Sequence, residues 1–169
     1  MTQSLPAIEI AEFRTLMSHF PTGVAIITTT AEDDSPRGMT VSSVCSVTLS
    51  PPTLLVCLRT GSPTLDAVLA RGAFAVNFLH GDAKPVAELF ASGAPDRFDL
   101  IPWRLPPTAG GPHLVQDAHA VADCNVSRTE AVGDHTVVFG EAFRVVREQG
   151  HLPLLYGLRE YRVWRAEQG

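Results

Sequence analysis

The sequence predicts a mainly β protein, an antiparallel barrel with a few short helices, and three observations carry that prediction. Short runs rich in Val, Ile and Thr recur along the chain, separated by Gly, Pro, Asp and Ser, the pattern of strands punctuated by turns. Two late runs, Ala118 to Ala131 and Thr136 to Arg147, are long and joined by Val132-Gly133-Asp134-His135, whose glycine supplies the φ angles of a hairpin. Helical periodicity is confined to brief segments. Short strands in succession, with few helices to cover them, bury their inner faces best by curling into a closed or nearly closed barrel.

In chain order, Ile8 to Phe20 carries Ile10, Phe13, Leu16, Met17 and Phe20 at helical spacing, which predicts a helix with one buried face. Pro21 ends it, and Thr22-Gly23 turns the chain into the β-branched strand Ala25 to Thr30. Glu32 to Pro36 is a polar hairpin loop. It leads into Arg37 to Pro52, an extended stretch carrying Thr40, Ser42, Ser43 and Ser46 and closed by two prolines that cannot donate to a ladder. Thr53 to Arg59 is the next strand. Ser62 is a helix N-cap with Pro63 in the first turn, and that helix ends near Arg71-Gly72. Ala73 to Leu79 is a strand and Pro85 to Phe90 a short helix. The irregular region from Ala91 to Pro112 is long enough to be functional or to serve as a packed cover. After the two long strands, Leu154 to Gly157 and Tyr161 to Trp164 end the sheet. No repeat or linker divides the chain, so residues 1–169 are expected to form one domain.

Composition excludes several classes. A net charge of -5, with Lys84 the only lysine, offers no electrostatic footing for nucleic acid or an anionic membrane. No apolar run reaches the ~20 residues of a membrane-spanning helix, and the N-terminus has no leader pattern, so a cytoplasmic protein is expected. Cys45, Cys57 and Cys124 are odd in number and lack metal or redox spacing, which fits a reducing compartment. Cys57 is expected in the core, and Cys45 as a buried thiol that could also touch a ligand. The six histidines never fall at metal-ligand spacing. Gly-x-Gly-x-x-Gly, the P-loop and the Gly-x-Ser-x-Gly elbow are all missing, and no carboxylate pair stands out for acid–base work.

The hydroxyl-rich stretch remains, because hydroxyls beside exposed amides suit a phosphate and the edge of a flat polar ring. It keeps company with Thr22-Gly23, Phe74 to Leu79, Asp96-Arg97-Phe98 and Gly133-Asp134-His135. From the residues alone, each has a structural alternative. Thr22-Gly23 makes a tight turn, Ser62 a helix cap, and Asn77 a hydrogen-bonded edge residue. Arg97 makes a solvated loop residue, His135 a surface residue, and Tyr156 a buried aromatic.

Taken in order, these motifs resemble the short flavin reductases that supply reduced flavin to two-component monooxygenases, over nearly the whole chain. That resemblance implies an FMN-binding split β-barrel and hydride transfer from NAD(P)H to free FAD or FMN. It implies that Thr40, Ser42 and Ser43 hold the flavin phosphate, while Val44, Cys45 and Ser46 line the ring. Thr22, Gly23 and Asn77 would approach the flavin, and Arg97 with Phe98 would meet its phosphate. Ser62 would assist an FAD pyrophosphate. His135 would serve the nicotinamide side, with Tyr156 and Gly157 as the other wall. A homodimer and a partner monooxygenase are implied too. With no Lys/Arg cluster visible for a 2′-phosphate, NADH is expected over NADPH. A split-barrel enzyme with permanently bound FMN and its own substrate, or a non-catalytic flavin-binding module, fits the same residues.

Overall fold

The computed structural model describes residues 7–165. In chain order it contains α1 (Ile10–Ser18), β1 (Thr22–Gly23), β2 (Ala25–Thr30), β3 (Pro36–Val41), β4 (Val44–Leu49) and β5 (Pro52–Arg59). These are followed by α2 (Pro63–Arg71), β6 (Ala73–Leu79), α3 (Lys84–Ser92), β7 (Ala118–Val132), β8 (His135–Arg147), β9 (Leu154–Gly157) and β10 (Glu160–Val163). Seven strands form one antiparallel sheet in the order β3-β2-β6-β7-β8-β5-β4, and β1, β9 and β10 form a separate small one.

The sheet order overturns one expectation and explains another. Arg37 to Pro52 is not one strand but two, broken at Ser42-Ser43. Those two strands occupy opposite edges of the sheet. Since only two residues join them, the sheet must curl until its edges meet, which gives a barrel whose seam carries no ladder. The final strands do not extend that sheet, as the sequence had suggested. Instead β9 pairs with β1 (Thr22↔Tyr156, Gly23↔Leu155) and folds back on β10.

Two apolar clusters lie on the two sides of β2 and β6. One, with Ile27, Val56, Leu58, Val68, Phe74 and Val138, fills the barrel. The other, with Ile26, Leu79, Phe90, Phe98 and Leu114, lies between the sheet, α3 and the long segment after it. With apolar neighbours on both faces, β2 is buried at every position, and its threonines bond inward. This is the reason its sequence shows a continuous run and no alternation.

The segment between α3 and β7 is a cover, fastened by buried polar groups. Asp123 is fully buried and accepts hydrogen bonds from Gly110 N (2.8 Å), His113 Nε2 (3.0 Å) and Arg144 Nε (2.6 Å). Burial raises the Asp123 pKa, and the bonds from His113, Arg144 and Gly110 outweigh it, holding the carboxyl below its ordinary range. Where the cover touches the sheet, a Cβ on Gly111 would stand 2.2 Å from Thr28 O, so only glycine fits.

α2 forms as expected. Ser62 Oγ accepts from Leu65 N at 3.2 Å, and Gly72 closes the helix at φ 70°. α1 forms too, but its predicted burial is corrected, because no residue of it is buried. Ile10, Phe13, Leu16, Met17 and the following Phe20 are 47–71% exposed, since the helix lies along the rim of a cavity rather than on the core. Among the described residues no helix is long and apolar enough to cross a membrane.

Candidate functional site

β3 runs from one cavity to another. The first, of about 710 Å³, lies where Ser42 to Cys45 face Thr22, Tyr156 and Gly157, under Met17 and Phe20 at the end of α1. The second, of about 580 Å³, lies between Arg37 to Met39, Arg59, the start of α2 and Arg97-Phe98. The two are about 10 Å apart along the extended chain between Met39 and Ser42.

Neither cavity has an Asp or Glu in its lining, although the chain as a whole carries -5. Arg14 and Arg159 stand at the first, and Arg37, Arg59 and Arg97 at the second. Burial, and then the neighbouring Arg37 charge, lower the pKa of Arg97. Arg97 is steered by bonds from Nε to Gly38 O (3.1 Å) and from Nη1 to Ala94 O (2.6 Å). In the first turn of α2, where Thr64 lines the second cavity, Pro63 has no N–H and Leu65 is capped, which leaves the Thr64 N–H without an intrahelical partner. Crowded guanidiniums beside a helix N-terminus favour a polyanion.

The first cavity is apolar along Met17, Phe20, Val44 and Leu55, with hydroxyls at Thr22, Ser42 and Ser43. Thr22 Oγ1 is buried without any hydrogen-bond partner. An unpaired buried hydroxyl costs free energy, and a polar ligand edge relieves it. Apolar walls, an unpaired hydroxyl and cations nearby fit a flavin whose phosphate is held in the second cavity.

The residues singled out from the sequence divide accordingly. Thr22, Ser42, Ser43, Val44, Cys45, Tyr156 and Gly157 meet at the first cavity, and Ser62, Arg97 and Phe98 at the second. Gly23 and Ser46 instead line a third, apolar pocket with Val44 on the other side of β4, because successive strand residues face opposite ways. Thr40 is a correction, since its hydroxyl is spent on Ala87 O of α3 at 2.6 Å. Asn77 is another. It lies on an internal strand, fully buried, and bonds to the cover instead of a ligand. Ser43 lines the cavity, yet its hydroxyl already bridges Cys57 O (3.1 Å) and Cys57 N (3.2 Å).

Cys45 is exposed rather than buried, and Cys57 faces the cavity half-buried. The core thiol is Cys124, pushed up to about 12 chiefly by burial and therefore inert. His135 opens β8 opposite Arg59. Val56 and Leu58 point inward and Leu55, Cys57 and Arg59 outward, so His135 stands on the outer face that carries the cavities. It lines neither cavity, and its Nδ1 lies 2.8 Å from Asp134 Oδ1, a contact that lowers the Asp134 pKa.

Sequence reasoning missed Arg14, Arg37, Arg59 and Arg159. They are far apart in the chain: the β9–β10 hairpin docked on Ser18 brings Arg159 to Arg14, and the strand pairings bring Arg37 and Arg59 to one cavity. The family described as "Flavin reductase like domain" matches residues 17–165. A flavin reductase (NADPH) of Lentzea aerocolonigenes is 51% identical over 160 residues, covering 95% of this chain and 93% of that one. The reductase subunit HsaB of a flavin-dependent monooxygenase from Mycobacterium tuberculosis is 36% identical, over 91% of this chain and 82% of its own. Among solved structures, the Streptomyces globisporus NADH:FAD oxidoreductase SgcE6, in complex with NAD and FAD fragments, superposes with a TM-score of 0.88. It is 29% identical and covers 98% of this chain and 100% of that one.

Proposed function

This chain belongs to the flavin reductase family, and we propose that it reduces free FAD or FMN with NAD(P)H and passes the reduced flavin to a partner monooxygenase. One observation carries the assignment. Two cavities without acidic lining open at either end of a single strand segment, one walled by apolar side chains with the unpaired Thr22 hydroxyl, the other ringed by arginines.

A bound flavin supplies the chemistry, accepting a hydride from nicotinamide stacked on its ring. The chain's own residues position and shelter. Ser42, Val44, Cys45, Tyr156 and Gly157 wall the ring slot, and Thr22 meets its polar edge. Arg37, Arg97 and the first turn of α2 take the phosphate. His135, on the same outer face beside Arg59, approaches the incoming dinucleotide. No nucleophile is needed, since stacking two rings in a dry slot is a matter of proximity and orientation.

The reductant was expected to be NADH because the sequence shows no basic cluster. The folded chain assembles one, so that premise no longer holds, and NAD(P)H is the appropriate statement. A homodimer accounts for the uncovered apolar face of α1. A cytoplasmic setting suits three free thiols and a supply of NAD(P)H.

The test is to mix the protein with NADH or NADPH and excess free FAD or FMN and follow nucleotide absorbance. Many turnovers per protein are expected. Oxidation limited to one equivalent, or none, overturns the proposal.

A further inference from the structure

Resting on the flavin-reductase assignment, we propose that Arg14 and Arg159 form a two-guanidinium subsite at the rim of the first cavity that binds the 2′-phosphate of NADPH and makes it the preferred reductant.

Both side chains are exposed, yet both line the same cavity. They reach it from opposite ends of the chain through one connection. Leu158 N donates to Ser18 O at 2.6 Å, which holds the turn between β9 and β10 against the last turn of α1. Arg14 precedes Ser18 by four residues and so stands on the same side of that helix, above the bonded turn. Arg159 is in that turn.

The turn itself is unusual. Leu158 and Arg159 take φ of 50° and 62°, the left-handed region at two successive positions. Such hairpin turns ordinarily use Asn or Gly, because a side chain there is strained. Glycine at 159 would relieve strain and lose the guanidinium, and the chain keeps arginine.

Among the described residues, neither Arg14 nor Arg159 has a carboxylate within salt-bridge distance. The acid next to Arg159, Glu160, is paired with Arg162. The lining of the first cavity contributes no carboxylate. Two unpaired guanidiniums over an acid-free cavity match a dianionic phosphate better than any neutral group.

This site is separate from the one around Arg37, Arg59 and Arg97, whose place beside α2 suits the flavin phosphate. A nicotinamide entering the first cavity leaves the rest of its dinucleotide at the rim, where Arg14 and Arg159 lie. NADH and NADPH share a pyrophosphate and differ only in the 2′-phosphate, so the proposal separates cleanly from general dinucleotide binding.

The experiment has two arms. In the first, kcat/KM is measured for NADPH and NADH at saturating FAD with the wild type, Arg14→Gln and Arg159→Gln. NADPH is expected to be preferred by the wild type. Each substitution should cut the NADPH-to-NADH ratio about tenfold, through KM rather than kcat, as one charge-assisted contact per guanidinium requires. In the second, adenosine 2′,5′-bisphosphate and 5′-AMP are titrated calorimetrically into the same proteins without flavin. The bisphosphate should bind the wild type more tightly, and both variants should lose that advantage.

Three results overturn the subsite: a wild-type preference for NADH, equal losses for both nucleotides in the variants, or either variant leaving the ratio within about twofold. If the wild type oxidises neither nucleotide with free flavin, the reductase assignment fails instead, while the calorimetric arm still decides whether the arginine pair reads a 2′-phosphate.

Discussion

Replacing Asn77 with alanine is expected to unfasten the cover from the sheet. Asn77 Nδ2 donates toward Ile26 O (3.2 Å), Thr28 Oγ1 (3.0 Å) and Pro112 O (3.3 Å), and Oδ1 accepts from Leu114 N at 2.9 Å. Removing the amide strands the Leu114 N–H, which is fully buried, at a cost of about 1–3 kcal/mol. The amide's two protons forfeit about 1 kcal/mol more between them. That value is modest because Pro112 O keeps its bond from Thr28 Oγ1 at 2.5 Å. The sum, about 2–4 kcal/mol, is a large part of a typical domain's stability. For a chain of this size it lowers the melting temperature by roughly 4–16 °C. Urea unfolding followed by circular dichroism, with thermal melts beside it, reads the change. A loss under about 1 kcal/mol would refute the reasoning. So would unchanged stability with a large loss of flavin affinity, which would put Asn77 in the ligand site after all.

Three further outcomes are expected. Thr22→Val keeps the shape and removes the unpaired hydroxyl, so the apoprotein should gain up to about 1 kcal/mol in urea unfolding while flavin binds several-fold more weakly. His135→Ala should raise KM for the nicotinamide nucleotide several-fold and leave flavin affinity, read by fluorescence quenching, nearly unchanged. Asp123 has its folded pKa depressed, so its contribution to stability is complete above the unfolded carboxylate value and is lost as pH falls through the folded one. Stability measured against pH should therefore drop steeply below about pH 4, and Asp123→Asn should flatten that limb.

Much of the architecture was legible because local signals and the final fold agree. The strand Ala73–Leu79 is a short apolar run that starts just after Gly72, the cap at Ser62 is read from N-cap chemistry, and both stand as expected. The break at Ser42-Ser43 was not legible, because serines are tolerated in an extended chain and only the arrangement of the other strands sends β3 and β4 to opposite edges. Asn77 misled for a related reason. A lone amide in an apolar strand signals a partner, but does not say whether that partner is ligand or backbone. The arginines at the two cavities were invisible one by one. A cation between ordinary neighbours carries no mark of the cluster it joins, and residues 14 and 159 meet only because the last hairpin docks on α1. The exposed side of α1 shows the converse, a clean apolar periodicity that does not specify what covers it.

The two-residue joint between β3 and β4 constrains how this chain can change its length. Side chains along β4 alternate, with Cys45 facing the first cavity and Ser46 the pocket behind it. The β4–β5 hairpin, closed at Leu49↔Pro52, sets the register of β4 on β5, so an extra residue at Ser42-Ser43 would lengthen the joint and leave that register alone. What an insertion there would slacken is the hoop that draws the two sheet edges together, while loops elsewhere can lengthen without touching the seam.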